Sequence, residues 1–264
     1  MIRKILIALV FMSCFYFYIR YLEKSSLYYP SRQLEFIPSD IGIPYEEVFF
    51  NARDKTKLHG WFVPAGDSKV TVIFIHGNGG NISHRLDKIR VFNELRVNLF
   101  IFDYRGYGRS EGVPGEQGLY LDVQAAFDYI RRKYPLDKVI IYGESLGGVL
   151  AIDLASRVDI DGLITEGTFT SVADMAKIVY PWLPPILLKT KLDSLSKISH
   201  VKAPKLHFHA EFDDIVPLNM GRRLFEAAKE PKKFVLLQGM HNDGFFVSAS
   251  KVRVELKEFF SSLK

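Results

Sequence analysis

The chain has 264 residues, 48% hydrophobic and 25% charged, which is enough apolar material for a sizeable core and excludes a disordered, collagen-like or low-complexity protein. Against 30 Asp and Glu stand 35 Lys and Arg, a formal charge of +5 with no long basic run. No nucleic-acid groove is indicated, although an anionic membrane surface would suit this balance.

Arg3 and Lys4 precede an uncharged run from Ile5 to Ile19, and with Arg20 snorkelling the apolar stretch reaches Leu22, roughly 27 Å as a helix. Small residues suited to signal cleavage are missing, and Phe15, Tyr16, Phe17 and Tyr18 stand in their place. Residues 1–22 therefore read as an uncleaved single-pass anchor, with a signal peptide or a buried amphipathic segment as alternatives. Orientation is unassigned, because Arg3 and Lys4 on one side are matched by Arg20, Lys24 and Arg32 on the other. Cys14, the single cysteine, excludes an intramolecular disulfide. Phe11-Met12-Ser13 before it is a poor lipidation signal, so it reads as an ordinary apolar-helix residue.

A linker over 23–44 leads into one domain over 45–264. Val48 to Asn51 and Leu58 to Val63 flank a polar Arg53-Asp54-Lys55 turn and predict an antiparallel edge hairpin. Six nearly continuous apolar runs follow: Val70 to Ile75, Leu99 to Phe102, Val139 to Tyr142, Leu163 to Glu166, Leu206 to His209 and Phe234 to Leu237. Such runs fit parallel strands covered on both faces. Helical spacing recurs over Asp122 to Tyr134, Leu146 to Arg157, Leu218 to Lys229 and Val247 to Leu263. The fold class expected is α/β, a mostly parallel central sheet of about eight strands with helices on both faces. Residues 168–202 break the rhythm and predict a small cap over the sheet's carboxyl edge.

Gly143-Glu144-Ser145-Leu146-Gly147 fits G-x-S-x-G, in which a serine occupies a strained strand-to-helix turn and projects its hydroxyl above the sheet. The predicted strand before it and helix after it supply the required context. A serine hydroxyl needs a general base, normally an imidazole oriented by a carboxylate. In the order nucleophile, acid, histidine, the acid should follow a late strand and the histidine the last one. His241 fits the second position, and Asp213 the first. The adjacent Asp214 is a rival that spacing does not separate from it. Backbone donors for an oxyanion are expected at Leu146 and at Asn78, in the His76-Gly77-Asn78-Gly79-Gly80-Asn81 loop. That loop is not a dinucleotide fingerprint, since Ile82 stands where its last glycine belongs. His207 and His209 share a strand face without a third ligand nearby, so no metal site is predicted and packing roles are expected for both.

These blocks resemble serine hydrolases of the α/β-hydrolase domain-containing protein 13 and 17 type and their bacterial relatives. The resemblance runs from Tyr29-Pro30-Ser31-Arg32 through the His76 to Asn81 loop, Asp103-Tyr104-Arg105-Gly106-Tyr107-Gly108-Arg109-Ser110-Glu111-Gly112 and Gly143-Glu144-Ser145-Leu146-Gly147-Gly148. It continues through Glu166-Gly167-Thr168-Phe169-Thr170-Ser171 and Asp213-Asp214-Ile215-Val216-Pro217 to His241-Asn242-Asp243. It implies the α/β-hydrolase fold, a Ser145, Asp213, His241 triad, the acid beginning the D-x-x-V-P block, and an amino-terminal membrane anchor. Glu144 stands where the family often has Arg or His, and Gly167 where it often has Asn. Some eukaryotic relatives remove palmitate from proteins, but they carry an amino-terminal cysteine cluster that this chain lacks.

The function expected is cleavage of an acyl ester or thioester from a small-molecule, lipid or protein substrate, through an acyl-enzyme and without a cofactor. Trp182, Leu183 and Ile186, in an apolar stretch running to Leu188, are candidates for an acyl pocket, or for a lid that merely packs on the core. A peptidase or amidase would use the same machinery, and a silent binding protein could keep the scaffold. No signal for an oligomeric state is present.

Overall fold

The computed structural model describes residues Met1–Leu263. Eight strands form one sheet: β1 (Glu46–Asn51), β2 (Lys57–Val63), β3 (Val70–Ile75), β4 (Asn98–Asp103), β5 (Lys138–Glu144), β6 (Gly162–Glu166), β7 (Lys205–Ala210) and β8 (Lys232–Leu237). Their spatial order is β8-β7-β6-β5-β3-β4-β2-β1. The pairs β1·β2 and β2·β4 are antiparallel and every other pair is parallel, so the expected edge hairpin and mostly parallel sheet are both present.

Alternation along each strand explains why the central runs are apolar throughout. Ile73 and Ile75 of β3 and Ile141 of β5 face a core completed by α3 (Glu116–Lys133), α4 (Leu146–Ala155) and α7 (Leu218–Ala227). Val72, Phe74 and Tyr142 face the opposite core, covered by α2 (Leu86–Glu94) and α8 (Ala249–Ser262). Both sheet faces are thus buried, as parallel strands require.

Helix α2 was not foreseen, because its nine residues carry only Ile89, Val91 and Phe92 as buried apolar positions. Helix α3 starts at Glu116, ahead of the expected Asp122, because Asp122 is not its cap. That carboxylate is buried mid-helix, accepting Arg105 N–H at 2.9 Å and Arg105 Nη2 at 2.7 Å. Residues 168–202 hold α5 (Val172–Val179) and α6 (Leu195–Ile198) but no strand, in line with a small cap.

Helix α1 spans Ile2–Leu27, five residues beyond the boundary expected at Leu22. It is long and apolar enough to cross a membrane, and 6% of its most apolar stretch is buried. The chain after it is tied to the domain. Tyr29–Pro30 pairs in parallel with Gly79–Gly80, and Asn81 Nδ2 donates to Gln33 O at 2.6 Å.

Leu150 is fully buried on α4. Leu150→Ala is expected to destabilise the domain by about 2–5 kcal/mol in urea unfolding. Leu136→Ala, at a position 86% exposed, should change stability by less than about 0.5 kcal/mol.

Candidate active site

Ser145 sits between β5 and α4 with φ +52° and ψ −114°, a conformation that costs a non-glycine residue about 1–3 kcal/mol. Close packing holds it there. A Cβ on Gly147 would lie 1.9 Å from Ile75 O, and one on Gly143 would lie 2.5 Å from Gly147 O. Glycine at both positions lets the start of α4 press against β3. Ser145 N–H donates to Glu166 O at 2.8 Å, locking the turn to the end of β6.

The next residue, Gly167, has φ +54°, and a Cβ there would meet His241 Cε1 at 2.9 Å and Asp213 Oδ2 at 3.5 Å. The loops after β7 and β8 therefore close onto the same corner as the serine turn. His241 Nδ1 lies 2.7 Å from Asp213 Oδ2. The other oxygen, Asp213 Oδ1, accepts the N–H groups of Ile215 at 3.0 Å and Val216 at 2.6 Å. Geometry thus separates the two adjacent acids: Asp214 meets only the backbone N–H of His241, at 3.2 Å.

Burial opposes charge on His241, but the hydrogen bond and Coulomb attraction of Asp213 outweigh it. With smaller contributions from Glu144 and Glu166, they raise its pKa above the usual imidazole value. His209, which sequence reasoning left as a packing residue, also supports the acid. Burial lowers its pKa below the usual imidazole value, its Nε2 is 2.9 Å from Val216 O, and the same nitrogen is 3.4 Å from Asp213 Oδ2. His207 pairs separately, through Nδ1 with Thr165 Oγ1 at 2.7 Å. Among the described residues no group of three or more metal-ligating side chains is assembled.

The two residues expected to supply backbone donors both line the cavity beside Ser145. Leu146 N–H opens α4, Asn78 N–H lies in the loop after β3, and neither has a hydrogen-bond partner among the described residues. The peptide that carries the Asn78 N–H is held on its carbonyl side, where Gly77 O lies 2.7 Å from His76 Nδ1, and the next peptide is held at Asn78 O, which accepts Tyr29 N–H at 3.1 Å and Tyr107 Oη at 2.8 Å.

A four-charge cluster also borders the serine, and nothing in the sequence signalled it. Lys88 Nζ bridges Glu144 at 3.1 Å and Glu166 at 2.7 Å, and Arg85 Nε lies 3.3 Å from Glu144. Burial opposes the Glu144 charge, yet Arg85 and Lys88 together hold its carboxyl down at about 2.

Ser145, Leu146, Asn78 and His241 line one cavity of about 720 Å³, within the roughly 300–1,000 Å³ range of small-molecule sites. Of the three cap residues expected there, only Leu183 lines it. Trp182 is 55% exposed and Ile186 91% exposed, so both expectations are corrected. Leu183 N–H closes a turn on Tyr180 O at 2.9 Å, which sends Leu183 inwards and leaves its neighbours at the surface. The apolar wall comes instead from α5, through Val172, Met175 and Ala176, and from Leu22 and Leu27 of α1.

Comparison with known proteins agrees with this architecture. A family model described as "Serine aminopeptidase, S33" matches residues 66–196. The chain is 35% identical over 234 residues to protein bem46 of Schizosaccharomyces pombe, covering 81% of this chain and 77% of that one. It is 31% identical over 238 residues to the alpha/beta hydrolase domain-containing protein WAV2 of Arabidopsis thaliana, again covering 81% and 77%. Among solved structures, the Pyrococcus furiosus esterase Pf2001 superposes with a TM-score of 0.75 at 21% identity, covering 89% of this chain and 98% of that one. The chain belongs to the α/β-hydrolase superfamily, and it is a hydrolase.

The close approach at the serine turn makes a sharp contrast testable. Gly147→Ala drives a Cβ into backbone and should cost about 1–3 kcal/mol or more of stability in thermal unfolding. Gly79→Ala has nothing within 4 Å of its new Cβ and should fall within about 0.5 kcal/mol of the parent.

Proposed function

We propose that this chain is a membrane-anchored serine hydrolase that cleaves carboxylic esters or thioesters through an acyl-enzyme. The observation that carries the reading is the His241–Asp213 pair, 2.7 Å apart, at a cavity that Ser145 also lines. With Nδ1–H committed to Asp213, His241 presents Nε2 as the base. Ser145 Oγ attacks the carbonyl carbon as Nε2 takes its proton. Leu146 and Asn78 N–H groups receive the developing oxyanion, each such donor typically giving about 10²- to 10³-fold in rate. The imidazolium then protonates the leaving alcohol or thiol, and a water activated by the same nitrogen releases the acid.

The lining argues for an acyl chain over a peptide amino terminus, despite the description carried by the matching family model. A free ammonium needs an unpaired carboxylate. Of the carboxylates lining this cavity, Glu144 is paired with Arg85 and Lys88 and Glu23 with Arg20 at 2.7 Å, whereas Asp214 has no cationic partner among the described residues, so the preference for an acyl chain rests on the apolar wall of Leu22, Leu27, Val172, Met175, Ala176 and Leu183. The length and apolar exposed surface of α1 support its reading as an anchor.

Fluorophosphonate labelling is expected in the parent and absent in Ser145→Ala; a parent that never labels would favour a silent scaffold. On p-nitrophenyl butyrate, Ser145→Ala should lower kcat by about 10⁶-fold. Asp213→Asn should lower it by about 10⁴-fold, the loss typical of removing the orienting carboxylate.

The pH profile follows from His241. The base works only when neutral, so kcat/KM should fall as pH drops through its pKa, which is raised. The acid limb should therefore have its midpoint above 6.5. Removing a nearby negative charge with Glu144→Gln should move that limb to lower pH. A midpoint below 6.5 in the parent would contradict the assignment.

A further inference from the structure

The cavity is not closed by the hydrolase domain alone. Ile19, Leu22, Glu23, Ser26 and Leu27 of α1 recur at helical spacing, so they form one face. Ile19 and Glu23 are buried, while Leu22, Glu23, Ser26 and Leu27 line the cavity. Upstream of Ile19 the helix touches little, and residues 2–18 are exposed. Helix α1 thus has a free apolar length followed by two docked turns.

The docking is specific and made to the cap. The buried Glu23 carboxylate accepts Lys189 N–H at 3.3 Å and also Thr190 N–H. Ser26 Oγ is 2.7 Å from Tyr180 Oη, and Arg20 donates to Leu187 O. A helix serving only as a tether has no need of a buried carboxylate that caps backbone N–H groups of a distant loop. The same cap segment presents exposed Ile178, Val179, Trp182 and Ile186, with exposed Lys177, Lys189 and Lys191 beside them. Apolar side chains with an amphipathic Trp among lysines suit the interfacial layer of an anionic bilayer.

Resting on the proposed function, we infer that the docked end of α1 is a wall of the acyl-binding cavity, which receives a membrane-resident fatty acyl chain between α1 and the cap. Leu22 and Leu27 set the length of chain accepted. Trp182 and Ile186 lie in the lipid interface and do not touch the acyl chain.

The test uses the full chain in nanodiscs containing anionic phospholipid, with p-nitrophenyl esters from butyrate to palmitate. Leu27→Trp and Leu22→Trp should lower kcat/KM for palmitate at least tenfold relative to butyrate. Leu27→Ala should shift the preference towards longer chains, and Ile7→Trp, far from the cavity, should leave the profile unchanged. Retained fluorophosphonate labelling of Ser145 shows that each variant is folded. A chain-length profile unchanged by the Leu22 and Leu27 variants, or a proportional fall at every length, overturns the inference while the proposed function stands. A parent that neither labels nor hydrolyses butyrate removes both.

Membrane contact is read separately. The chain has two tryptophans, and Trp61 is fully buried. Brominated lipid should quench a fluorescence component that disappears in Trp182→Ala, and no quenching would overturn access from the bilayer. A diacyl lipid and a palmitoyl thioester presented in the same nanodiscs distinguish the two sources of acyl chain; hydrolysis of neither would also overturn it.

Discussion

The arrangement depends on the contact of the α4 amino terminus with the end of β3. Only glycine at 147 lets that helix reach Ile75 O, and only that proximity keeps Ser145 at a positive φ, which an isolated turn would relax. The strain is sustained by neighbours that are themselves fixed. β5 lies between β3 and β6 in the middle of the sheet, and Ser145 N–H is held by Glu166 O. Because Gly167 follows directly and makes room for His241 and Asp213, one rigid corner locates three groups that are remote along the chain.

Charge placement builds on that corner. Two carboxylates, Glu144 and Glu166, and two cationic side chains, Arg85 and Lys88, pair with one another beside Ser145. Removing one partner would leave a buried charge uncompensated, which is far more costly than the net contribution of an intact pair. The cluster is therefore stable only as a whole, and its two carboxylates add to the field that favours imidazolium at His241. Asp213 is constrained more locally. Its two oxygens accept from His241 and from the amides of Ile215 and Val216, so little freedom remains in its side chain.

Much of this was legible in the sequence because it follows local rules. Continuous apolar runs marked the strands, and a glycine-flanked serine between strand and helix marked the turn. Chain order pointed to His241, while the choice of Asp213 over Asp214 came from resemblance and then from the hydrogen bond between Asp213 and His241. What escaped detection depends on contacts between distant segments. Lys88 and Glu166 are unremarkable in sequence, yet meet at 2.7 Å because α2 packs through Phe92 on the sheet face that carries Phe74 and Tyr142. Trp182 and Ile186 looked like pocket residues because hydrophobicity reports preference for an apolar environment, and an apolar surface satisfies that preference as well as an interior does. Glu23 offered no motif at all, because its partners are backbone amides 166 and 167 residues away.

The linker expected after the anchor has a mechanical role of its own. Tyr28 is buried directly after α1, Tyr29 N–H holds the Asn78 carbonyl, and Ser31 N–H holds Gly80 O at 3.0 Å. Fixing the Asn78 carbonyl fixes the Asn78–Gly79 peptide plane, which adjoins the one carrying the Asn78 N–H. The loop that borders the cavity at Asn78 is therefore pinned by the residues that emerge from α1. Those residues cannot shift far while Glu23 and Ser26 stay docked on the cap, since Tyr28 and Ser31 follow the docked positions by only two to eight residues. The long apolar helix α1, the cap that borders the cavity and the loop carrying Asn78 are thus positioned by one short run of chain.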